Sequence, residues 1–401
     1  MKHKFLFLTI VIILAACCVS GCDSPRNAVP LDMQSKVVIP GMKGVRAFNN
    51  NTNSNIMRDS IRSIIQEPSN SFPKDKDGIK IYPVLALSGG AANGAYGAGL
   101  LNGWSESGSR PVFKAVTGIS TGAIVAPLAF LGKDYDVSAE KLYTTWSTRE
   151  IMTPKGPIYS LFSDSMTSNS PLRRIIEEII TEQVIEKVAK EHSLGRRLYV
   201  GTTNLDAQRL VVWNMGKIAS IGTKESSDLF RKVILASTAI PVVFPPEFFD
   251  VTADGKHFEE MHVDGGVLNQ MFFIDGVLDG FEKIAPKEGI NPSRIKIKLY
   301  IIRNGYIKPI WQDVKSDISS ISGRSMDTMY GAIGTGDIYK LYTFSQAKGR
   351  DFNLAYIPDQ HKSVAKEMFD ITEMKRLFDL GRKQALAGYP WKKKPPEMDS
   401  F

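Results

Sequence analysis

The chain has 401 residues, which is enough for one large domain with a well-buried interior. Its three cysteines all lie within the first 22 residues, so a disulfide or a cysteine metal site in the folded part is excluded. The formal net charge of +8 is mild for this length, and no nucleic-acid-binding motif accompanies it, so we predict no nucleic-acid partner.

The N-terminus has the features of a secretory signal. Lys2 and Lys4 precede an apolar run at 5–16. This run is too short to span a bilayer comfortably but is typical of a signal peptide. We therefore predict that residues 1–21 are a lipoprotein signal peptide.

Two segments, 14–17 and 19–22, resemble the lipobox of bacterial lipoproteins, in which the final cysteine becomes lipidated. We place the lipidation at Cys22, with Cys17 as the alternative. Cys22 has the longer apolar stretch before it and a polar, turn-rich start after it. Removal of residues 1–21 takes away two lysines and no acids, so the net charge falls from +8 to +6.

Lipidation at this position implies three acyl chains, such as palmitate, on one cysteine. A single chain holds a protein only marginally, whereas three anchor it firmly. The expected location is the bacterial cell envelope, on the inner or outer membrane and facing the periplasm.

The rest of the chain divides into three parts. Residues 22–78 are polar and predict a tether or N-terminal extension with one short helix at 56–66. Residues 79–390 form the expected catalytic domain, and 391–401 a basic, solvated C-terminal tail.

Two glycine-rich turns, at 88–94 and 118–122, each follow a strand-like run and precede a helix-like one. In the second, Ser120 lies between Gly118 and Gly122 in a G-x-S-x-G pattern. A serine between a strand and a helix exposes its hydroxyl only if the residues two positions away are small. This pattern makes Ser120 a candidate nucleophile.

The first turn offers consecutive backbone N–H groups at a helix N-terminus, where the helix dipole favours negative charge. We predict an oxyanion hole there. No lysine followed by serine or threonine comes after it, so a nucleotide P-loop is disfavoured. The middle glycine of a dinucleotide-binding loop is also missing.

A serine nucleophile needs a base, and none of the five histidines stands in a catalytic motif. Asp264 ends a strand-like piece and begins an Asp-Gly-Gly sequence. Such a sequence is common in ordinary turns, but it also suits a side chain presented at a sheet edge. Asp264 is therefore the candidate base.

These three motifs resemble, in content and order, those of the patatin-like phospholipase family. That family combines a G-G-G-x-R/K-G loop, a G-x-S-x-G elbow and a later D-G-G or D-G-A. The resemblance extends over roughly 79–387 and includes 201–205, 236–241, 244–246 and a late helix at 369–385. It implies an α/β, three-layer fold with a central, mostly parallel sheet flanked by helices and a nucleophile elbow.

The resemblance also implies roles for single residues. Ser120 is expected to be the nucleophile and Asp264 its proton acceptor in a Ser-Asp dyad without histidine. The oxyanion hole is assigned to Gly89, Gly90 and Ala91, and the motifs are framed by Gly94, Gly118, Gly122, Gly265 and Gly266.

The implied function is hydrolysis of fatty-acyl esters through an acyl-serine, of phospholipase A or lysophospholipase type. The substrate would be a phospholipid or another acyl-ester lipid, and neither a cofactor nor a metal is predicted. Because an aspartate of pKa about 3.9 is a weak base at neutral pH, we expect burial under bound lipid to raise the pKa of Asp264.

The glycine loop departs from the family pattern at two positions. Ala91 replaces the third glycine, and Asn93 stands where the family has a cation. Alanine resists a positive φ, and loss of the cation leaves the oxyanion site dependent on backbone dipoles.

One further helix is predicted from the apolar spacing. Ser170 can cap a run opened by Pro171 that carries apolar residues on one face as far as Val188. Packing in the core is the expected role of that face, with a lid or membrane-docking helix as the alternative.

Two other functional readings remain open. A serine esterase of the α/β-hydrolase type would need a histidine after its acid, and only His361 follows Asp264. A non-catalytic lipoprotein could bind lipid through an inherited pocket.

Overall fold

A computed structural model describes residues 26–49, 55–156, 163–273, 285–396 and 398. Its α-helices are α1 Asn55–Gln66, α2 Gly94–Glu106, α3 Thr121–Leu131, α4 Asp136–Thr144, α5 Thr148–Ile151, α6 Ser170–Ile179, α7 Glu182–Ser193, α8 Met215–Ala219, α9 Lys224–Ser237, α10 Ile318–Ala347 and α11 Ile371–Leu386. Its strands are β1 Arg46–Phe48, β2 Lys80–Leu87, β3 Ala115–Gly118, β4 Thr153–Pro154, β5 Thr167–Ser168, β6 Arg197–Asn204, β7 Arg209–Asn214, β8 Glu247–Ala253, β9 Lys256–Asp264, β10 Ile295–Arg303 and β11 Asp351–Tyr356.

Five parallel strands form the centre of the main sheet, in the order β6-β3-β2-β10-β11. Strands β7 and β9 pair antiparallel with β6, β1 pairs with β7, and β8 pairs with β9. The carboxyl ends of the parallel strands therefore meet at one edge of the sheet, where ligand sites of α/β proteins form. The predicted α/β fold with a mostly parallel sheet is confirmed.

Both faces of this sheet are buried. Alternate residues of a strand point to opposite faces, and on β2 Leu85 and Leu87 enter one hydrophobic core while Val84 and Ala86 enter another. Helices α2 to α4, α6 to α9 and α11 cover the first core, and α1 and α10 the second. The result is three layers, helix on sheet on helix.

Two helices of the first core, α2 and α11, pack backbone against backbone. A Cβ added at Gly99 or Gly103 of α2 would collide with the carbonyl groups of Phe378 or Arg382 on α11. A Cβ at Gly381 would likewise meet the carbonyl oxygen of Tyr96. Because α2 begins directly after the glycine loop, this contact also fixes where that loop lies.

The helix predicted from a Ser170 cap is in fact two helices. Ser170 is the first residue of α6 rather than its cap, and α6 ends at Ile179. Thr181 then accepts a hydrogen bond from the Val184 N–H and caps α7. A threonine at that position favours a new helix start over continuation. The apolar face packs in the first core, as expected for a core helix.

The described part of 22–78 is not a loose tether. Strand β1 extends the sheet beside β7, and residue Val38 exchanges backbone hydrogen bonds with Thr252 of β8. Helix α1, predicted at nearly the observed bounds, buries Ile56 and Ile61 in the second core. An amphipathic helix of three turns lowers its free energy by covering an exposed sheet face, and this is why the extension docks.

The first residues of the C-terminal tail also pack, although we expected them to be solvated. Trp391 contacts the rings of Trp104 and Tyr300. Lys392 exchanges two backbone hydrogen bonds with Leu354 of β11, so the tail continues the sheet edge by one bridge. Across the described ranges, every helix falls short of the length and apolarity that a membrane span requires.

Candidate active site

Ser120 lies at a sharp turn between β3 and α3. Its backbone has φ 54° and ψ −125°, a strained conformation that points the side chain out of the turn. A Cβ at Gly118 would collide with the Gly122 backbone, and one at Gly122 would lie 2.5 Å from the Leu87 carbonyl oxygen. The elbow therefore requires both glycines, which confirms the steric argument from the sequence.

The hydroxyl of Ser120 donates a hydrogen bond of 2.6 Å to Oδ2 of Asp264. Asp264 ends β9, and its N–H donates to the Ala239 carbonyl oxygen. Its second oxygen, Oδ1, accepts from the Gly266 N–H at 2.7 Å. The structure thus brings together two residues 144 positions apart in the chain.

Both partners are almost completely enclosed, with Ser120 6% and Asp264 2% exposed. Burial raises the pKa of Asp264 to about 7, although its hydrogen bonds with Ser120 and Gly266 lower it. We had expected bound lipid to supply this burial. The protein itself supplies it, so the carboxyl group is poised near neutral pH before any ligand binds.

Ser237, at the end of α9, holds the backbone of the elbow. Its hydroxyl accepts from the Ser120 N–H at 2.9 Å and donates to the Gly201 carbonyl oxygen at 2.7 Å. Sequence reasoning placed Ser237 and Gly201 inside the family resemblance without a role. The structure gives Ser237 a positioning contact.

The glycine loop contains three predicted oxyanion donors, and one of them is already engaged. The Gly89 N–H, predicted to be an oxyanion donor, donates to the Gln270 carbonyl oxygen at 2.9 Å. Within the described ranges, no acceptor receives the N–H groups of Gly90 and Ala91. The candidate anion site is therefore the pair Gly90 and Ala91.

Ala91, which stands in place of the third glycine, has a strained backbone. Ala91 adopts φ 46°, the left-handed region that glycine reaches freely and alanine at a cost of about 1 kcal/mol. Gly90 cannot be replaced by alanine in the same way, because a Cβ there would collide with the Asn304 carbonyl oxygen. The bend expected at Ala91 is present, and alanine bears the strain.

The remaining glycines that frame the motifs are required by close contacts. A Cβ at Gly94 would meet the hydroxyls of Tyr143 and Thr121, which are hydrogen-bonded to each other. A Cβ at Gly265 would lie 2.5 Å from the Gly201 carbonyl oxygen, and one at Gly266 2.9 Å from Oδ1 of Asp264. Each of these glycines therefore allows a close approach of the backbone near Ser120 or Asp264.

An apolar pocket opens onto Ser120. Side chains from α3, α4, α6 and the segments 238–244 and 369–374 line it, and the lining residues are Ala91, Ser120, Thr121, Ile124, Leu142, Tyr143, Trp146, Ile151, Leu172, Ile175, Thr238, Ile240, Phe244, Phe369 and Met374. A hydrocarbon chain fits this chemistry.

Two of the histidines, His361 and His262, have hydrogen-bond partners other than Ser120. His361, the base of the esterase alternative, has Nε2 2.6 Å from Oε1 of Glu373. His262 is completely buried, with its ring nitrogens within hydrogen-bond distance of Thr202 and Glu260. The hydroxyl of Ser120 bonds to Asp264 instead.

Two buried polar residues beneath the glycine loop were missed in the sequence, Gln270 and Arg303. Arg303 ends β10, and its Nη1 donates to Oε1 of Gln270 at 2.9 Å. A signal was available for Arg303, since it follows an apolar strand-like run and the carboxyl ends of parallel strands share one edge. Gln270 lies in a loop without any pattern. The lipidation candidates Cys17 and Cys22 fall outside the described residues.

Comparison with known proteins gives three findings. Residues 85–276 match the sequence model of the family described as patatin-like phospholipase. No curated protein matches the chain. Among solved structures, VipD from Legionella pneumophila is similar at 14% sequence identity and a TM-score of 0.40, over 79% of this chain and 70% of VipD.

Proposed function

We propose that this chain, whose residues 85–276 match the patatin-like phospholipase family model, is a lipid acyl hydrolase of phospholipase A or lysophospholipase type. The family itself indicates hydrolysis of lipid esters. The finer assignment rests on the contact between Ser120 and Asp264, which joins a strained, glycine-framed hydroxyl to a carboxyl group poised near neutral pH.

In this mechanism Asp264 takes the proton of the Ser120 hydroxyl as Oγ attacks the ester carbonyl carbon. The Gly90 and Ala91 N–H groups stabilise the negative charge that develops on the carbonyl oxygen. The carbon–oxygen bond to the leaving group breaks, and Asp264 returns the proton to the departing alkoxide. Asp264 then takes a proton from water as the water oxygen attacks the acyl-serine carbonyl carbon, the bond from that carbon to Oγ breaks, the fatty acid leaves, and Asp264 returns the proton to Oγ of Ser120.

The pocket supports an acyl chain as the group that is transferred. Its lining is apolar apart from the hydroxyls near Ser120, so a lipid tail would leave water while its ester reaches the nucleophile. Head-group contacts would then fall outside the pocket.

Incubation of the purified protein with defined phospholipids and lysophospholipids tests the proposal. We expect release of free fatty acid and covalent labelling of Ser120 by a fluorophosphonate, both lost in Ser120→Ala. A wild-type protein that binds lipid vesicles but releases no fatty acid and takes no label would support the non-catalytic alternative. Loss of activity in His361→Ala would favour the esterase alternative, because the Ser-Asp mechanism predicts little loss there.

The activity should depend on pH near neutrality. Asp264 must be ionised to act as a base, and burial raises its pKa to about 7. We therefore expect kcat/KM to fall tenfold per pH unit below about pH 7. Rates with a short-chain ester, measured between pH 4 and pH 9, check this, and an acid limb centred near pH 4 would contradict it.

We also propose that the enzyme works at the bacterial cell envelope, held there by lipidation at Cys22. What supports this is the signal-like N-terminus and the lipobox resemblance. From Arg26 onward the chain is bound to the domain, since Arg26 pairs with Asp206 and the Asn27 side chain donates to the His257 carbonyl oxygen. An anchor at Cys22 would therefore hold the domain close to the membrane, where its substrate is.

A further inference from the structure

A buried cation lies directly beneath the glycine loop. Arg303 is only 6% exposed. Burial lowers its pKa to about 10, so the guanidinium keeps its charge at neutral pH. Its nearest hydrogen-bond partner among the described residues is the neutral amide of Gln270, and Asp337 is close enough to favour its charged form. A buried charge without a paired ion is costly, and such groups are retained where their charge has a use.

The guanidinium contacts the loop at one peptide group. Nη1 of Arg303 lies 3.5 Å from the Gly89 carbonyl oxygen and 3.5 Å from the Ser88 hydroxyl oxygen. The Ser88 hydroxyl donates to the same carbonyl at 2.6 Å. Gln270, which accepts from Nη1, also accepts the Gly89 N–H through its own carbonyl oxygen.

This arrangement determines where the next N–H group points. In a trans peptide the C=O and N–H groups point in opposite directions. Holding the Gly89 carbonyl towards Arg303 therefore turns the Gly90 N–H away from Arg303. The loop passes close to the nucleophile here, since a Cβ at Gly89 would lie 3.2 Å from Cβ of Ser120. The Gly90 N–H is also one of the two that lack an acceptor within the described ranges.

We propose that Arg303 is a positioning residue for the oxyanion site: it fixes and polarises the Gly89–Gly90 peptide so that the Gly90 N–H faces the reacting carbonyl. It thereby supplies, from β10, the positive charge that the loop lacks at Asn93. This inference rests on the proposed hydrolase function.

Two glycines, Gly334 and Gly305, leave space for the Arg303 guanidinium. A Cβ at Gly334 of α10 would lie 2.7 Å from Cζ of Arg303, and one at Gly305 would lie 3.3 Å from it. The same helix holds Gln270, because Asp337 accepts the Gln270 N–H at 2.7 Å. Helix α10 is therefore the support of the Arg303 contact.

Steady-state kinetics with a soluble short-chain p-nitrophenyl ester test the role. We expect Arg303→Met to lower kcat about 100-fold with KM within twofold of wild type, because an oxyanion donor is worth about 10² to 10³ in kcat. Arg303→Lys keeps the charge but not the planar fork, and we expect a loss of about tenfold. Guanidinium ion added to Arg303→Ala should restore part of kcat, an effect that a purely structural residue would not show.

Two controls separate this role from general damage. Arg196→Lys makes the same change at an arginine 7% exposed, which donates to the Phe113 carbonyl oxygen and lies outside the site. Gly334→Ala should displace Arg303 and lower kcat about tenfold. Gly336→Ala, two residues away with open space around it, should leave kcat unchanged.

The outcomes distinguish the two proposals. A kcat for Arg303→Met within threefold of wild type, or an equal loss in Arg196→Lys and Arg303→Lys, would overturn the positioning role alone. If the wild-type protein shows no turnover, or turnover that Ser120→Ala does not abolish, the proposed function and this inference are both overturned. A variant that does not fold is replaced by Arg303→Lys, whose kcat then decides.

Discussion

Asp264→Asn is expected to lower kcat by about 10⁴-fold and, at pH 8, to make the folded protein more stable. An amide cannot accept the Ser120 proton, and loss of a general base removes up to about 10⁴ in rate. The Ser120 hydroxyl donates its hydrogen bond to Asp264, at 2.6 Å, so Asp264 is the base in position to take its proton. The loss should appear in kcat and leave the affinity for lipid unchanged.

The gain in stability follows from the raised pKa of Asp264. Its pKa is about 7 in the folded protein, against a usual value of 3.8. The folded state therefore holds the proton more tightly than the unfolded state, and stability is lost as pH rises from about 4 to about 7. Asparagine carries no charge and avoids this loss, which amounts to as much as about 4 kcal/mol at pH 8.

Urea unfolding of the wild type and Asp264→Asn at pH 5 and pH 8 measures this effect. We expect the stability difference at pH 5 to shrink to roughly 2 kcal/mol, because only part of the pKa shift is then expressed. Ser120→Ala serves as the control, since it removes activity but leaves the carboxyl group in place. A stability difference that does not change with pH would rule out the raised pKa.

Gly99→Ala is expected to destabilise the fold by about 3 kcal/mol. The added Cβ would collide with the Phe378 carbonyl group, and a main-chain group cannot rotate away as a side chain can. Helices α2 and α11 would have to separate, and this would weaken the core along their contact. Chemical denaturation should show a lower midpoint with an unchanged dependence on denaturant concentration.

Gly323→Ala is the matched control for this change. Gly323 also lies in a helix, α10, but a Cβ there meets nothing within 4 Å. Alanine has the higher helix propensity, so this variant should gain up to about 1 kcal/mol. Equal effects of the two substitutions would mean that helix propensity rather than close packing decides their stability.

The sequence by itself determined the parts of the site that depend on local backbone sterics. Gly118 and Gly122 must be small around any serine presented at an elbow, and an Asp-Gly-Gly turn presents its carboxyl group at a strand end. These demands involve neighbours in the chain, so they are visible as motifs. The mostly parallel sheet was implied by the family resemblance that these motifs carry.

Only the tertiary structure decided what surrounds those motifs. Arg303 reaches the glycine loop because β10 lies beside β2 in the sheet, although the two strands are more than 200 residues apart in the chain. The burial that raises the pKa of Asp264 to about 7 comes from the assembled layers. The docking of 26–49 and 55–78 and the hydrogen bond that engages the Gly89 N–H have the same origin. Motifs record contacts between residues that are close in the chain. Strand order and burial depend instead on which distant segments pack together. The positive charge of Arg303 beneath the glycine loop therefore could not be predicted from the loop sequence.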